Sequence, residues 1–266
     1  MGDNMKKMKM FFRAAALFLT ASVLSVSLLA CNQPASDKPA GTTPKKRVAF
    51  TFDDGPTPGV TDLILDKLEA IGGKATFFQV ANRHNYVDDA VYDRINALGC
   101  EVGSHTWSHP SDFYGMGAAK TDEQLRKSVE AIEAETGKKV TLFRPVGGAA
   151  DGYQIDNVAQ YGMHTIHWSL DTEDWREQTN DLDKAESFIN NTVAYIVENV
   201  EDGDIILMHE LYKSSYEIFS RAADKLAEMG YEFVTVSELL ELDENSVPLI
   251  KMHHSGKPLF DPDAVG

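Results

Sequence analysis

From residue 47 onward the chain alternates two patterns: short runs of β-branched and aromatic residues, and longer segments whose apolar positions recur every three or four residues. The first suits a strand and the second a helix with one apolar stripe, so their alternation predicts parallel strands joined by helices. Seven strands are predicted, over 47–52, 75–80, 100–104, 140–143, 165–169, 204–208 and 231–236. Between them the helical spacing falls at Ile64, Leu68 and Ile71, at Val91, Ile95 and Leu98, and at Leu125, Val129 and Ile132. Gly72-Gly73, Gly99, Gly137 and Gly230 follow the last periodic residues, as helix-ending glycines do. Thr121 with Gln124 has capping-box spacing and predicts the start of the third helix. The pattern runs over 47–242 as one α/β domain, and the Pro-containing, weakly patterned 243–266 forms a C-terminal tail.

Ahead of that domain the pattern differs. Lys6, Lys7, Lys9 and Arg13 make a cationic start, and 14–30 is an almost continuous apolar run, too short and too rich in Ala and Ser for a spanning helix. Residues 1–30 therefore read as an export signal. They end in Leu28-Leu29-Ala30-Cys31, which is similar to a bacterial lipoprotein cleavage box, so Cys31 is expected to become a lipidated first residue. The alternative is secretion with Cys31 unmodified. Residues 31–46, rich in Pro, Ala, Gly, Ser and Thr, form a flexible tether. The expected product is an exported bacterial lipoprotein, anchored to a membrane and facing the periplasm or the cell surface. Acylation of Cys31 would leave Cys100 as the remaining cysteine, a small core residue rather than half of a disulfide.

Charge narrows the partners. Across 266 residues, 41 acidic side chains face 25 basic ones, a formal charge of −16, and no basic block exceeds Lys45-Lys46-Arg47. A nucleic acid is not expected to bind such a surface, whereas a neutral glycan, recognised by rings and hydrogen bonds, can. No protein partner is implied.

The chemistry-bearing residues cluster just past the strand ends. Asp53 and Asp54 follow the first strand, His105 and His109 the third, Arg144 the fourth, Asp171 and Asp174 the fifth, and His209 the sixth. In a barrel of parallel strands these carboxyl ends converge on one face, where distant loops build one site. Side chains alternate along a strand, so Asp53 and Asp54 should hold different tasks, and Gly55-Pro56 makes the turn that exposes them. His105 and His109 are one helical turn apart if the segment coils, so both rings could face one ion. With one carboxylate they give three ligands and open positions, the arrangement of a catalytic zinc. His209 is a candidate general acid, with Asp174 to orient its ring.

In chain order, TFDDGP (51–56), HTWSHP (105–110), FRPVGG (143–148), WSLDTEDW (168–175) and LMH (207–209) resemble the five motifs of the polysaccharide deacetylase family with the NodB homology domain, carbohydrate esterase family four. The resemblance spans about 47–240 and implies a distorted, incomplete (β/α)7-8 barrel. It implies that Asp53 is the catalytic base and that Asp54, His105 and His109 hold a divalent metal, zinc first and cobalt or another transition metal as the alternative. Arg144 would hold Asp53, and Asp174 would partner the acid His209. Trp175 would form a groove wall, Leu207 would line the acetyl pocket, and the backbone N–H at Gly147 would receive the oxyanion. Gly147 stands where the family usually has an aromatic, and Val146 where it usually has a proline.

The implied activity is metal-dependent removal of acetyl groups from a polysaccharide, N-deacetylation of N-acetylglucosamine in peptidoglycan or chitin-type chains first. The alternatives are an O-acetyl esterase acting on xylan and, motivated by Gly147, a catalytically weak glycan-binding lipoprotein. A glycosidase built on paired carboxylates would leave His105 and His109 without a task. His84, His164 and His167 read as loop or packing residues, and Trp107 as packing. Phe113 and Tyr114 could either anchor their loop or stack on a sugar.

Overall fold

A computed structural model describes residues 45–248 apart from 151 and 244, so the leader, Cys31 and most of the tail lie outside the described residues. Eight strands run in chain order: β1 (Lys46–Asp53), β2 (Thr76–Gln79), β3 (Glu101–Ser104), β4 (Leu142–Phe143), β5 (His164–Thr165), β6 (Leu170–Asp171), β7 (Ile205–His209) and β8 (Tyr231–Phe233). The main helices are α1 (Thr61–Ile71), α2 (Asp89–Ala97), α3 (Ala118–Thr136), α4 (Gly152–Gln160), α5 (Leu182–Asn199) and α6 (Lys213–Glu228), with the short α7 (Val236–Leu239) after β8. Every pairing is parallel, in the order β5-β4-β3-β2-β1-β7-β6, while β8 joins the opening of β1. This is the expected incomplete (β/α) barrel, with β5 and β6 at the two ends of the strand order.

Alternation along β1 decides which residues reach the inside. Val48, Phe50 and Phe52 join the larger core between sheet and helices, where Phe219 of α6 packs edge-on at 5.0 Å from Phe50 and 5.1 Å from Phe52. Ala49 belongs instead to the inner cluster with Phe78, Leu142, Ile166, Ile205 and Val236. Asp53 is in phase with Ala49 and Thr51, so the periodicity that buries the phenylalanines outward turns Asp53 inward at the carboxyl end. On the paired β7, Ile206 and Met208 face the helices and Leu207 and His209 share the phase of Ile205. The other end is closed by α7, whose Val236 and Leu239 pack on Ala49 and Ile205. A complete capping box of Thr235 and Glu238 opens α7.

Two expectations need correction. The strand predicted over 165–169 is two short pieces, β5 and β6, at opposite ends of the strand order. Ile166 N still donates to Phe143 O (2.8 Å), but Ser169 N donates to Ile205 O (3.0 Å), so the chain crosses from β4 to β7 between them. Apolar content alone does not distinguish such a crossing from a strand. The capping box at Thr121 is not formed, because α3 begins a turn earlier with Gly117 as N-cap. The Thr121 hydroxyl instead donates to Met116 O (3.3 Å), and Gln124 serves the ligand loop described below. Gly72 and Gly137 do end their helices in the left-handed conformation, at φ 64° and 66°. Among the described residues no helix is long and apolar enough to cross a membrane.

Candidate active site

Asp53 ends β1 almost fully buried and accepts a 2.8 Å hydrogen bond on Oδ1 from Arg144 Nη1. Arg144, itself fully buried, also donates from Nη1 to Thr51 Oγ1 (2.7 Å) and from Nη2 to His167 O (3.0 Å). Its guanidinium carbon lies 4.1 Å from the centre of the Phe78 ring. Burial pulls the Arg144 pKa down and Asp53 opposes that, so each charge is the reason the other is tolerated inside.

Asp54 would point away from Asp53 if β1 continued. It adopts φ 75° instead, and the turn that follows contains the cis Gly55-Pro56 bond. Asp54 N donates to Phe78 O (3.2 Å), Asp54 O accepts from Arg83 Nη1 (2.6 Å), and Val80 N donates to Gly55 O (3.1 Å). The left-handed residue brings the second carboxylate to the same cavity by a different route, with Oδ1 3.6 Å from His105 Nε2 and 3.2 Å from His109 Nε2. His105 Nε2 also lies 3.9 Å from Asp53 Oδ2.

The two histidines do not converge through a helical turn, which corrects that expectation. Residues 105–110 are irregular, and Thr106 (φ 73°) and His109 (φ 54°) are both left-handed. His109 N donates to Thr106 Oγ1 (3.0 Å), while Gln124 Oε1 from α3 accepts from Trp107 N (3.1 Å) and Ser108 N (3.0 Å). Asp54, Thr106, His109 and Glu173, all in or beside the motifs, carry positive φ without being glycine. Such conformations cost about 1–3 kcal/mol each and persist where surroundings over-determine them.

His105 Nδ1 lies 2.8 Å from Arg144 O and can only donate to it, so in a neutral, ligating ring the Nε2 lone pair would face Asp54. Asp54 Oδ1 is buried without a hydrogen-bond partner, and one ligand atom from each of Asp54, His105 and His109 lies within 4.8 Å of the others. An orphaned buried carboxylate oxygen facing two imidazole nitrogens fits a divalent cation. Burial lowers the His109 pKa, which favours the neutral, ligating ring.

Across the cavity, His209 Nδ1 lies 2.8 Å from Asp174 Oδ1, and His209 N donates to Asp174 Oδ2 (2.9 Å). Burial acts to lower the His209 pKa, but the hydrogen bond to Asp174, with the charges of Asp174, Asp53 and Asp54, outweighs it and pushes the ring up to about 9. Asp53, Asp54, His105, His109, Gly147, Trp175, Leu207 and His209 line one cavity of about 440 Å³ together with Val146, Trp168, Asp171 and Gln178. Arg144 and Asp174 stand behind it, buried. Gly147 has φ 62°, and a Cβ there would meet nothing within 4 Å, so the place of the usual aromatic is open.

Several supporting residues escaped the sequence reading. Arg83 and the fully buried Glu210 have no motif of their own, although Glu210 directly follows the LMH segment; Trp168 opens a motif that assigns it no role, and Gln124 reads only as part of a cap. Burial pushes the Glu210 carboxyl up to about 8. Of the remaining candidates, His84, His167 and Phe113 are packing groups and Tyr114 is not. His84 pairs with Glu135 (2.8 Å), His167 stacks on Trp168 at 3.9 Å, and Phe113 is buried against Phe143, while Tyr114 is exposed.

The polysaccharide deacetylase family model matches residues 40–166. The peptidoglycan-N-acetylmuramic acid deacetylase PdaC of Bacillus subtilis is 34% identical over 74% of this chain, which spans only 39% of the PdaC length. A peptidoglycan-N-acetylglucosamine deacetylase of Bacillus cereus is 32% identical over 74% of this chain and 89% of its own length. Among solved structures, a family 4 acetyl xylan esterase from Clostridium thermocellum, in complex with a cobalt ion, superposes with a TM-score of 0.69 at 29% identity, covering 80% of this chain and all of that one. Near-complete coverage of such relatives, on a fold of the same kind, means that the chain belongs to the polysaccharide deacetylase family, carbohydrate esterase family four.

Proposed function

We propose that the protein is a metal-dependent deacetylase that hydrolyses the N-acetyl groups of N-acetylglucosamine residues in a polymer, peptidoglycan first and chitin-type chains second. The observation that carries this reading is Asp54 Oδ1, buried and unpartnered between two imidazole nitrogens, with Asp53 and His209 on the same cavity. Zinc is the ion proposed for Asp54, His105 and His109, with cobalt as the alternative. When bound, such an ion lowers the pKa of a water to about 7 and polarises a carbonyl.

In this reading Asp53, oriented by its hydrogen bond from Arg144, takes a proton from the attacking water. His209, charged through its bond to Asp174, delivers a proton to the nitrogen as the C–N bond breaks, releasing acetate and a free amine. The backbone N–H of Gly147 is assigned to the oxyanion, Leu207 to the acetyl methyl, and Trp175 to one wall of the sugar groove. The cationic, apolar leader and the cleavage box ending at Cys31 support export as a lipoprotein, which would hold the protein beside cell-wall glycan.

Similarity to an acetyl xylan esterase supports a second reading, since the same groups would cleave an acetyl ester. Acetate release should be compared on N-acetylglucosamine oligomers, peptidoglycan fragments and acetylated xylan, after chelation and with metal added back. We expect release from the amide substrates, lost on chelation and restored by zinc or cobalt. Release from xylan alone would make it an esterase. Glycan retention without acetate from any substrate would leave the binding-lipoprotein reading.

A further inference from the structure

Glu210 is a fully buried carboxyl that takes no part in the proposed chemistry. It accepts a 2.5 Å hydrogen bond on Oε2 from the Thr61 hydroxyl, while Oε1 is buried without a partner. A carboxyl group placed so deep with so little compensation calls for a reason.

The reason lies at Gly55, in the middle of the TFDDGP turn. A Cβ on Gly55 would lie 1.8 Å from Glu210 Oε1 and 1.9 Å from its carboxyl carbon, so Glu210 occupies the side-chain space of residue 55. Gly55 is not among the residues with positive φ. Its backbone therefore does not demand glycine; the carboxyl pressed against it does. Thr61, which donates to Glu210, also accepts from Thr57 N (2.9 Å), and Glu210 N donates to Asp53 O (3.1 Å). Glu210 thus holds one end of the 53–57 turn directly and the other through Thr61. Between those ends Asp54 stands at φ 75°, a conformation that a non-glycine residue keeps only when its neighbours enforce it.

We propose that Glu210 is a positioning residue: its carboxyl wedges against Gly55, ties the turn to Thr61, and so keeps Asp54 left-handed with Oδ1 facing His105 and His109. This rests on the metal-site reading above. Chemically, what the position needs is a planar head group that fills the space and accepts from Thr61, which Gln supplies and Ala does not.

The test is titration of chelator-stripped protein with zinc or cobalt by calorimetry, beside thermal unfolding of the metal-free form. Glu210→Ala should weaken metal binding at least tenfold, while Glu210→Gln stays within threefold of the parent. Gly55→Ala should also weaken binding, and adding Glu210→Ala to it should restore part of the loss, because the methyl enters the vacated space. Should Glu210→Ala not fold, the double variant carries the same comparison with Gly55→Ala. Parent-like affinity in Glu210→Ala, or a double variant worse than Gly55→Ala, overturns the positioning role alone. No metal binding by the parent overturns the metal-site reading and this role with it.

Discussion

Two buried carboxylate–cation pairs flank the cavity, and they differ in one chemical respect. Asp53 is paired with Arg144, whose guanidinium is fully buried and stays charged at any working pH, whereas Asp174 is paired with His209, a ring that titrates. A permanent cation suits a base, because it orients the carboxylate and never competes for the proton. A titrating cation suits an acid, because it must give its proton away and regain it. In the proposed mechanism the same two ingredients, set in different protein surroundings, would take opposite proton roles.

The sharpest way to break the comparison is Asp53→Asn, which keeps the shape and removes the basic oxygen. Turnover measured by acetate release should fall by roughly a thousandfold or more, within the range a positioned base supplies, while metal titration stays close to the parent. Arg144→Ala comes next. It leaves Asp53 buried without its partner, so chemical denaturation should show about 3–5 kcal/mol of lost stability along with lost activity.

Asp174→Asn acts on the titrating pair. With the His209 pKa at about 9, the proposed acid is protonated below that value, and activity should decline as pH rises through it. The raised value also means that this pair stabilises the fold fully below the ordinary histidine value of 6.5, and that the contribution disappears as pH rises through about 9. Removing the Asp174 charge should move the alkaline limb of the pH–rate profile to lower pH, with a roughly hundredfold loss of rate. An unmoved limb would take His209 out of the acid role. The smallest effect expected is for Gly147→Tyr, where the ring has open space but the backbone sits at φ 62°. We expect a stability cost of about 1–2 kcal/mol and a change of KM on oligomers that exceeds any change of kcat.

How legible this site was in the sequence depended on what gathers each residue. Asp53 and His209 could be placed because they end continuous apolar runs, and strand phase then turns them inward. Arg144 and Asp174 could be named through their motifs. The convergence of His105 with His109 was expected from helical spacing but arises from left-handed Thr106 and His109, which no residue type there announces. The crossing at 166–169 looked like a strand because Ile166 and Trp168 are apolar, and only the pairing partners at its two ends distinguish it. Gln124 matched a cap by spacing, yet its side chain is claimed by Trp107 and Ser108 across the loop. Glu210 could not be read at all, since its role depends on the space above Gly55, which exists only once β1 and β7 are paired.

The central claim is that Asp54, His105 and His109 hold one divalent ion. It is tested most directly by metal stoichiometry in chelator-stripped parent protein and its His109→Ala and Asp53→Asn variants, titrated with cobalt or zinc. One tightly held ion in the parent and in Asp53→Asn, with loss of that ion in His109→Ala, is the predicted result. A parent that takes up no ion, or a His109→Ala variant that still binds one with parent affinity, would contradict it.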